Sequence, residues 1–117
     1  MLRLALTAFL FLVVPAQAQQ RTDELLWLCE GRTPMPETPV IGEALCAQYL
    51  GGMNDLNTMI RELLPQARFF CTPSSGVSND QLRLIFMKWA REHPEELHET
   101  ARVSAFLALG EAFPCGP

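Results

Sequence analysis

Downstream of residue 19, apolar residues recur every three or four positions along this chain, the period of an α-helix, and they nowhere alternate as in a strand. That spacing predicts four helices separated by two proline-rich interruptions. The first is short, Asp23 to Glu30, with Leu25, Leu26, Leu28 and Cys29 apolar and with acids at its start, where the helix dipole favours them. Gly31 ends it. The segment Thr33-Pro34-Met35-Pro36-Glu37-Thr38-Pro39 cannot continue a helix, because proline lacks the amide donor and restrains the residue before it.

The second helix is predicted over about Val40 to Leu64. Ile41, Leu45, Tyr49, Met53, Leu56, Met59, Ile60 and Leu63 form its apolar face. Gly51-Gly52 in its middle costs about 1 kcal/mol per glycine, so the pair predicts close packing against a neighbour, or a kink. Pro65 closes the element. Phe69 to Gly76 then reads as a loop with a buried aromatic anchor. Ser78-Asn79-Asp80-Gln81 has the form of a capping box, in which serine oxygen and glutamine amide each reach an orphan backbone donor. The third helix follows, with Leu82, Ile85, Phe86 and Trp89 on one stripe. His93-Pro94-Glu95-Glu96 is expected both to stop it and to start the fourth, with Pro94 at the first helical position and acids in the first turn. Leu97, Ala101, Ser104, Ala105, Ala108 and Ala112 make a narrow small-residue face there, widened by Val103, Phe106, Leu107 and Leu109.

The N-terminus has a different pattern. Met1-Leu2-Arg3 supplies one positive charge, Leu4 to Val14 is almost wholly apolar, and Pro15-Ala16-Gln17-Ala18 ends the run. A short basic start, a brief apolar core and an Ala-x-Ala end are the features of a cleavable export signal. The apolar run is too short to span a bilayer, which takes about 20 such residues. Cleavage after Ala18 is expected, leaving residues 19–117 as a single domain in the periplasm, with no attachment to the membrane after processing.

Charge narrows the partners. With Arg3 removed, eight basic residues face 13 acidic ones, a net charge of −5. That balance argues against nucleic acid and anionic membrane surfaces. It is compatible with a basic protein partner.

The four cysteines, Cys29, Cys46, Cys71 and Cys115, all lie in the processed part. An even count in a short exported chain reads as two disulfides. Zinc sites bring cysteines in close pairs, whereas these are 17, 25 and 44 residues apart. Helix length suggests the pairing. A helix of about 24 residues is roughly 36 Å long, so Cys46 near its start and Cys71 beyond its end sit at opposite poles. With short connections the third helix returns toward Cys46 and the fourth climbs back toward Cys71. Cys29–Cys46 and Cys71–Cys115 follow, in an all-α, disulfide-stapled bundle of about four helices.

Catalytic chemistry finds little to work with. A cysteine nucleophile needs a free thiol beside a base, and the bridges use all four sulfurs. His93 and His98 are five residues apart and point about 140° away from each other on a helix, so they do not pair as metal ligands. Glu92, Glu95, Glu96 and Glu99 are read as complements to a helix dipole rather than a glycosidase pair. Ser74-Ser75-Gly76 lacks the strand–turn–helix setting of a nucleophile elbow. Neither phosphate-binding glycine fingerprint occurs. The reading is of a protein without enzyme activity, cofactor or metal.

Several segments, taken in order, resemble the Rap/Tai immunity family, small periplasmic proteins that protect bacteria from amidase toxins delivered by type VI secretion. They are Cys46-Ala47-Gln48-Tyr49-Leu50-Gly51-Gly52, then Phe70-Cys71-Thr72-Pro73 followed by Gly76-Val77-Ser78. Gln81-Leu82, His93-Pro94-Glu95 and Ala108-Leu109 through Ala112-Phe113-Pro114-Cys115 complete the set, which spreads over roughly Leu25 to Cys115. The resemblance implies a compact helical domain, often a homodimer, that occludes the active site of a peptidoglycan amidase without any cofactor. The shared residues are cysteines, glycines and core apolar groups, so they carry over the fold and no binding residue.

An inhibitor of this kind would meet its target through loops held near the disulfides, where ordering costs little entropy. Met35 and Glu37 in the first proline-rich segment, and Thr72, Ser74 and Ser75 in the second, are the candidate contacts. The alternative is a general envelope-stress or structural periplasmic protein with no toxin partner, similar to the small acid-stress chaperones, which would expose apolar surface as its glutamates neutralise.

Overall fold

A computed structural model describes residues 19–35 and 37–117 of the chain. The expected export signal, residues 1–18, lies outside the described residues. Four α-helices and one short 3-10 turn carry the fold: α1 (Thr22–Cys29), α2 (Pro39–Leu63), α3 (Asn79–Glu92), the turn Pro94–Glu96, and α4 (Ala101–Ala112). Among the described residues there is no strand, only an isolated bridge between Arg21 and Thr100.

Each helix boundary has a visible cause. The amide of Arg21 donates to Glu24 Oε2 at 3.0 Å ahead of the first turn of α1. At the other end, Gly31 takes φ +76°. This lets its amide reach the Leu28 carbonyl at 2.9 Å while the Arg32 amide reaches that of Trp27 at 3.1 Å, the paired closure of a Schellman motif. Pro39 opens α2 from inside the helix, at a position where its missing donor costs nothing. At the start of α3, Ser78 Oγ accepts from the Gln81 amide at 3.1 Å.

The fourth helix corrects the sequence expectation. Pro94 starts only a 3-10 turn, and α4 begins at Ala101. The intervening carbonyls are engaged elsewhere: that of Glu99 accepts from the Thr22 amide at 2.9 Å and that of Leu97 from the Asp23 amide at 3.1 Å. A helix running through from Pro94 would need those carbonyls for its own ladder. Instead they satisfy donors at the start of α1, which would otherwise be orphans. Gln20 reciprocates, its carbonyl accepting from the Ala101 amide at 2.8 Å. Thr22 locks the joint from inside: its hydroxyl lies 2.7 Å from Ser104 Oγ and 3.0 Å from the Glu99 carbonyl, and both side chains are fully buried.

The core sits where α1, α2, α3 and α4 converge. Leu25, Leu50, Phe70, Leu82, Phe86 and Leu109 are its large fully buried side chains. Ala101, Ser104, Ala105 and Ala108 provide the small buried face of α4. Two disulfides staple this core, Cys29 to Cys46 and Cys71 to Cys115, with Cα separations of 5.0 and 4.9 Å. The first joins α1 to the N-terminal third of α2. The second ties the loop after α2 to the chain beyond α4, alongside a backbone bond from the Cys71 amide to the Phe113 carbonyl at 2.8 Å.

Helix α2 faces the core with a narrow, mostly small surface: Gly42, Cys46, Leu50, Gly51 and Asn57. A Cβ on Gly42 would sit 2.9 Å from the Leu28 carbonyl oxygen, so this glycine sets how closely α1 approaches. At Gly51 the space is filled by the Asn79 side chain, 2.5 Å from where a Cβ would stand. The first residue of α3 therefore meets α2 at its midpoint, and the second half of α2 extends past α3. Of the expected glycine pair, Gly51 is the close-packed member, and Gly52 is exposed with nothing within 4 Å of its Cβ position.

Candidate functional site

The apolar face read for α2 is turned outward. Ile41, Leu45, Leu56, Met59 and Leu63 are all exposed, Leu56 and Met59 to about half their area (47% and 49%) and Leu63 to 71%. Tyr49 and Met53 are half-buried beside them. Successive helical residues turn by about 100°, which centres the core-facing residues of α2 about 120° around the helix from this stripe. Leu45, Tyr49, Gly52, Leu56, Met59 and Leu63 fall at alternating spacings of four and three, the repeat that seats one helix along another. Beyond the end of α2, Phe69 is exposed (57%) and packs at 5.2 Å against the Phe106 ring of α4. Val103 and Leu107 on the outer side of α4 are exposed as well. Burial pushes the Tyr49 phenol above its ordinary value, and the Arg102 cation opposes the shift.

A second feature lies against the other side of the same helix. The C-terminal half of α2 and the loop after it enclose an open cleft of about 580 Å³, lined by Asn54, Thr58, Arg61, Glu62, Arg68, Thr72 and Ser74 among others. Its floor is set by α2 and its wall by the turn Pro73–Gly76, where the Gly76 amide donates to the Pro73 carbonyl at 2.9 Å and Gly76 adopts φ +86°. Asn57 anchors this wall from the buried side by donating from Nδ2 to the Phe70 carbonyl at 2.8 Å.

The candidate contact residues divide between two places. Met35 and Glu37 are exposed in the loop that leads into α2. The Met35 carbonyl gathers that loop, accepting from the hydroxyls of Thr33 and Thr38. Thr72 and Ser74 instead line the cleft, where Thr72 Oγ1 donates to Asn54 Oδ1 at 3.4 Å, and Ser75 is exposed next to them. Asn54 stands 15 residues along α2 from Pro39, a rise of about 22 Å. The two loops are thus at different ends of the domain and do not form one site.

The histidines are not brought together. The His93 ring stacks on Trp89 at 4.3 Å with Nδ1 2.7 Å from the Trp89 carbonyl, while His98 faces Glu99 at 3.2 Å. Trp89 Nε1 in turn donates to Glu111 at 3.0 Å. Among the described residues no three His, Cys, Asp or Glu side chains converge as a metal site would require.

Sequence reasoning missed that the α2 stripe is a surface. The signal was present in its four–three spacing, which is narrower than the stripe of a helix packed into a globular core. The cleft left no comparable trace, because Arg61 and Arg68 are separated by the proline break and meet only in the folded chain.

The family model of the Rap1a immunity proteins matches residues 21–115, and the chain belongs to that family. No curated protein and no solved structure matches it. The matched span covers the whole of the helical domain, including both disulfides. The family consists of immunity proteins, which makes this a protein that acts by binding a secreted effector. No helix among the described residues is long and apolar enough to cross a membrane.

Proposed function

We propose that this member of the Rap1a immunity proteins is exported to the periplasm and there binds and occludes a peptidoglycan amidase delivered by type VI secretion. The reading rests on the family membership. One structural observation supports a binding role: the α2 stripe leaves a row of large apolar side chains in water, a patch type that marks interaction surfaces.

Two copies of the chain can share the stripe. Gly52 lies near the centre of α2, with Leu45 and Met59 seven residues to either side and Ile41 and Leu63 eleven. A two-fold axis through an antiparallel helix pair places the same residue of both copies at the crossing. Glycine there permits the closest approach, and the residues on either side match in apolar character. The homodimer then presents two copies of each loop, and Glu37, exposed beside the start of α2, is available to meet a basic cleft rim on the effector.

In an inhibition assay with a cognate type VI peptidoglycan amidase, the processed chain abolishes hydrolysis of peptidoglycan, and Glu37→Lys weakens the inhibition. Leu56→Glu converts the dimer to monomer in sedimentation while leaving the helical signal intact. If the wild-type chain sediments as a monomer at about 100 μM, the pairing is wrong and the inhibition still stands on its own. An amidase that is neither bound nor inhibited removes the immunity role. The exposed stripe also suits an envelope-stress protein that holds unfolded chains. That reading predicts suppression of aggregation of unrelated denatured proteins, which the immunity reading does not.

A further inference from the structure

The cleft between α2 and the Pro65–Gly76 loop holds an imbalance of charge that the fold does not use. Arg61 and Arg68 both line it. The ion pairs of the described residues involve Arg21, Arg32, Arg83, Lys88, Arg91 and His98, and neither cleft arginine is among them. Arg102 is also outside those pairs, whereas Arg83 reaches both Asp80 and Glu43. What sets Arg61 and Arg68 apart is that they line one cleft together, in a chain whose processed part carries −5. Glu62 also lines the cleft, so the local balance is two cations to one anion. Part of the demand on Arg61 is met by the carbonyls in the last turn of α2, which a cation complements. Arg68 lies beyond the helix and has no such role.

The remaining lining is hydrogen-bonding rather than apolar: Asn54, Thr58, Thr72 and Ser74. Guanidinium forks with hydroxyl donors around them are the chemistry that holds a carboxylate. The volume, about 580 Å³, accommodates a protruding side chain with the backbone that carries it. Thr58 and Arg61 project from α2 well away from the Leu45–Leu63 stripe, given about 100° per residue. Two copies paired along that stripe leave both clefts open.

We propose that this cleft receives an acidic side chain, Asp or Glu, from a loop of the effector, with Arg61 and Arg68 as its pairing groups and Ser74 as a donor at the rim. This rests on the immunity reading and adds to it a second contact of opposite charge sense to the one at Glu37. The two contacts stand at different ends of α2, so a partner must carry a basic and an acidic patch to satisfy both, which raises specificity more than affinity.

The test uses the full processed chain and two peptides, acetyl-Gly-Glu-Gly-amide and its glutamine counterpart, with the arginine Nε–Hε signals followed by nuclear magnetic resonance. The glutamate peptide should shift the Arg61 and Arg68 signals saturably, the glutamine peptide should not, and Arg102 should stay unmoved as a control. In parallel, Arg61→Gln with Arg68→Gln should weaken binding of the purified amidase by about tenfold or more without changing the melting temperature. Equal shifts with both peptides, or shifts spread over every arginine, overturn the carboxylate site. Loss of peptide binding in the variant with amidase affinity unchanged overturns its use by the effector and leaves the immunity reading intact. If the wild-type chain binds no amidase while the peptide titration succeeds, the immunity reading is the part that fails.

Discussion

Replacing Cys71 and Cys115 together by alanine should lower the unfolding free energy by about 4 kcal/mol, and replacing Cys29 with Cys46 by about 3 kcal/mol. The bridges close loops of 44 and 17 residues. In the chain-entropy model a cross-link stabilises by restricting the unfolded chain, more for the longer loop. The combined effect, about 7 kcal/mol, matches the whole net stability of an ordinary small domain. The chain needs this help because α2 contributes only Leu50 as a large buried hydrocarbon, with glycines, a cysteine and an asparagine around it. Urea titrations with and without a thiol reductant measure the difference directly. A reduced chain with an unchanged midpoint would mean that the helices hold themselves together without the staples.

The second large effect separates two neighbouring phenylalanines. Phe70→Ala should cost about 3–5 kcal/mol, the range for removing a buried aromatic ring. Phe70 has none of its surface in water, its ring packs at 5.9 Å against Phe106, and it precedes a bridged cysteine. Its carbonyl also takes the buried Asn57 amide, so a cavity here loosens both the loop and the second half of α2. Phe69→Ala should cost less than about 1 kcal/mol, as is usual for substitutions at exposed positions, because that ring is mostly in water. Chemical denaturation of the two variants checks the contrast. Equal losses would place Phe69 in the core and remove it from the exposed apolar surface.

This pair also illustrates how far the sequence could be read. Phe69-Phe70 looks like a single aromatic anchor on paper, and only the tether through Cys71 and the bond from Asn57 decide which ring turns inward. The helical class was legible from period alone, and Gly31, Pro39, Pro65 and Ser78 mark helix ends by their backbone chemistry. The fourth helix was not, because what delays it to Ala101 is a set of long-range bonds from Gln20, Thr22 and Asp23. No local pattern carries contacts between residues 77 positions apart. The periodicity of α2 was correct and its orientation was not given by it. An apolar stripe says that something covers it, whereas the core is met by the less conspicuous residues Gly42, Cys46 and Gly51.

The candidate site was less legible than the fold. Thr72 and Ser74 were identified as loop residues fit for contact, and they do line a cleft. Their association with Arg61 and Arg68 needed the chain to turn at Pro65 and again at Gly76. Met35 and Glu37 remain on a separate loop, gathered around the Met35 carbonyl rather than facing the cleft. The domain thus offers three distinct surfaces, one apolar and two polar, which the proposed function assigns to a second copy and to opposite charges on an effector.

Survival of cells carrying a cognate peptidoglycan amidase in their periplasm tests the proposed function most directly. With this chain exported alongside the enzyme, growth should match that of cells without the enzyme, and the same chain kept in the cytoplasm should give no protection. Lysis at an undiminished rate, with the exported chain present, oxidised and folded, would contradict it.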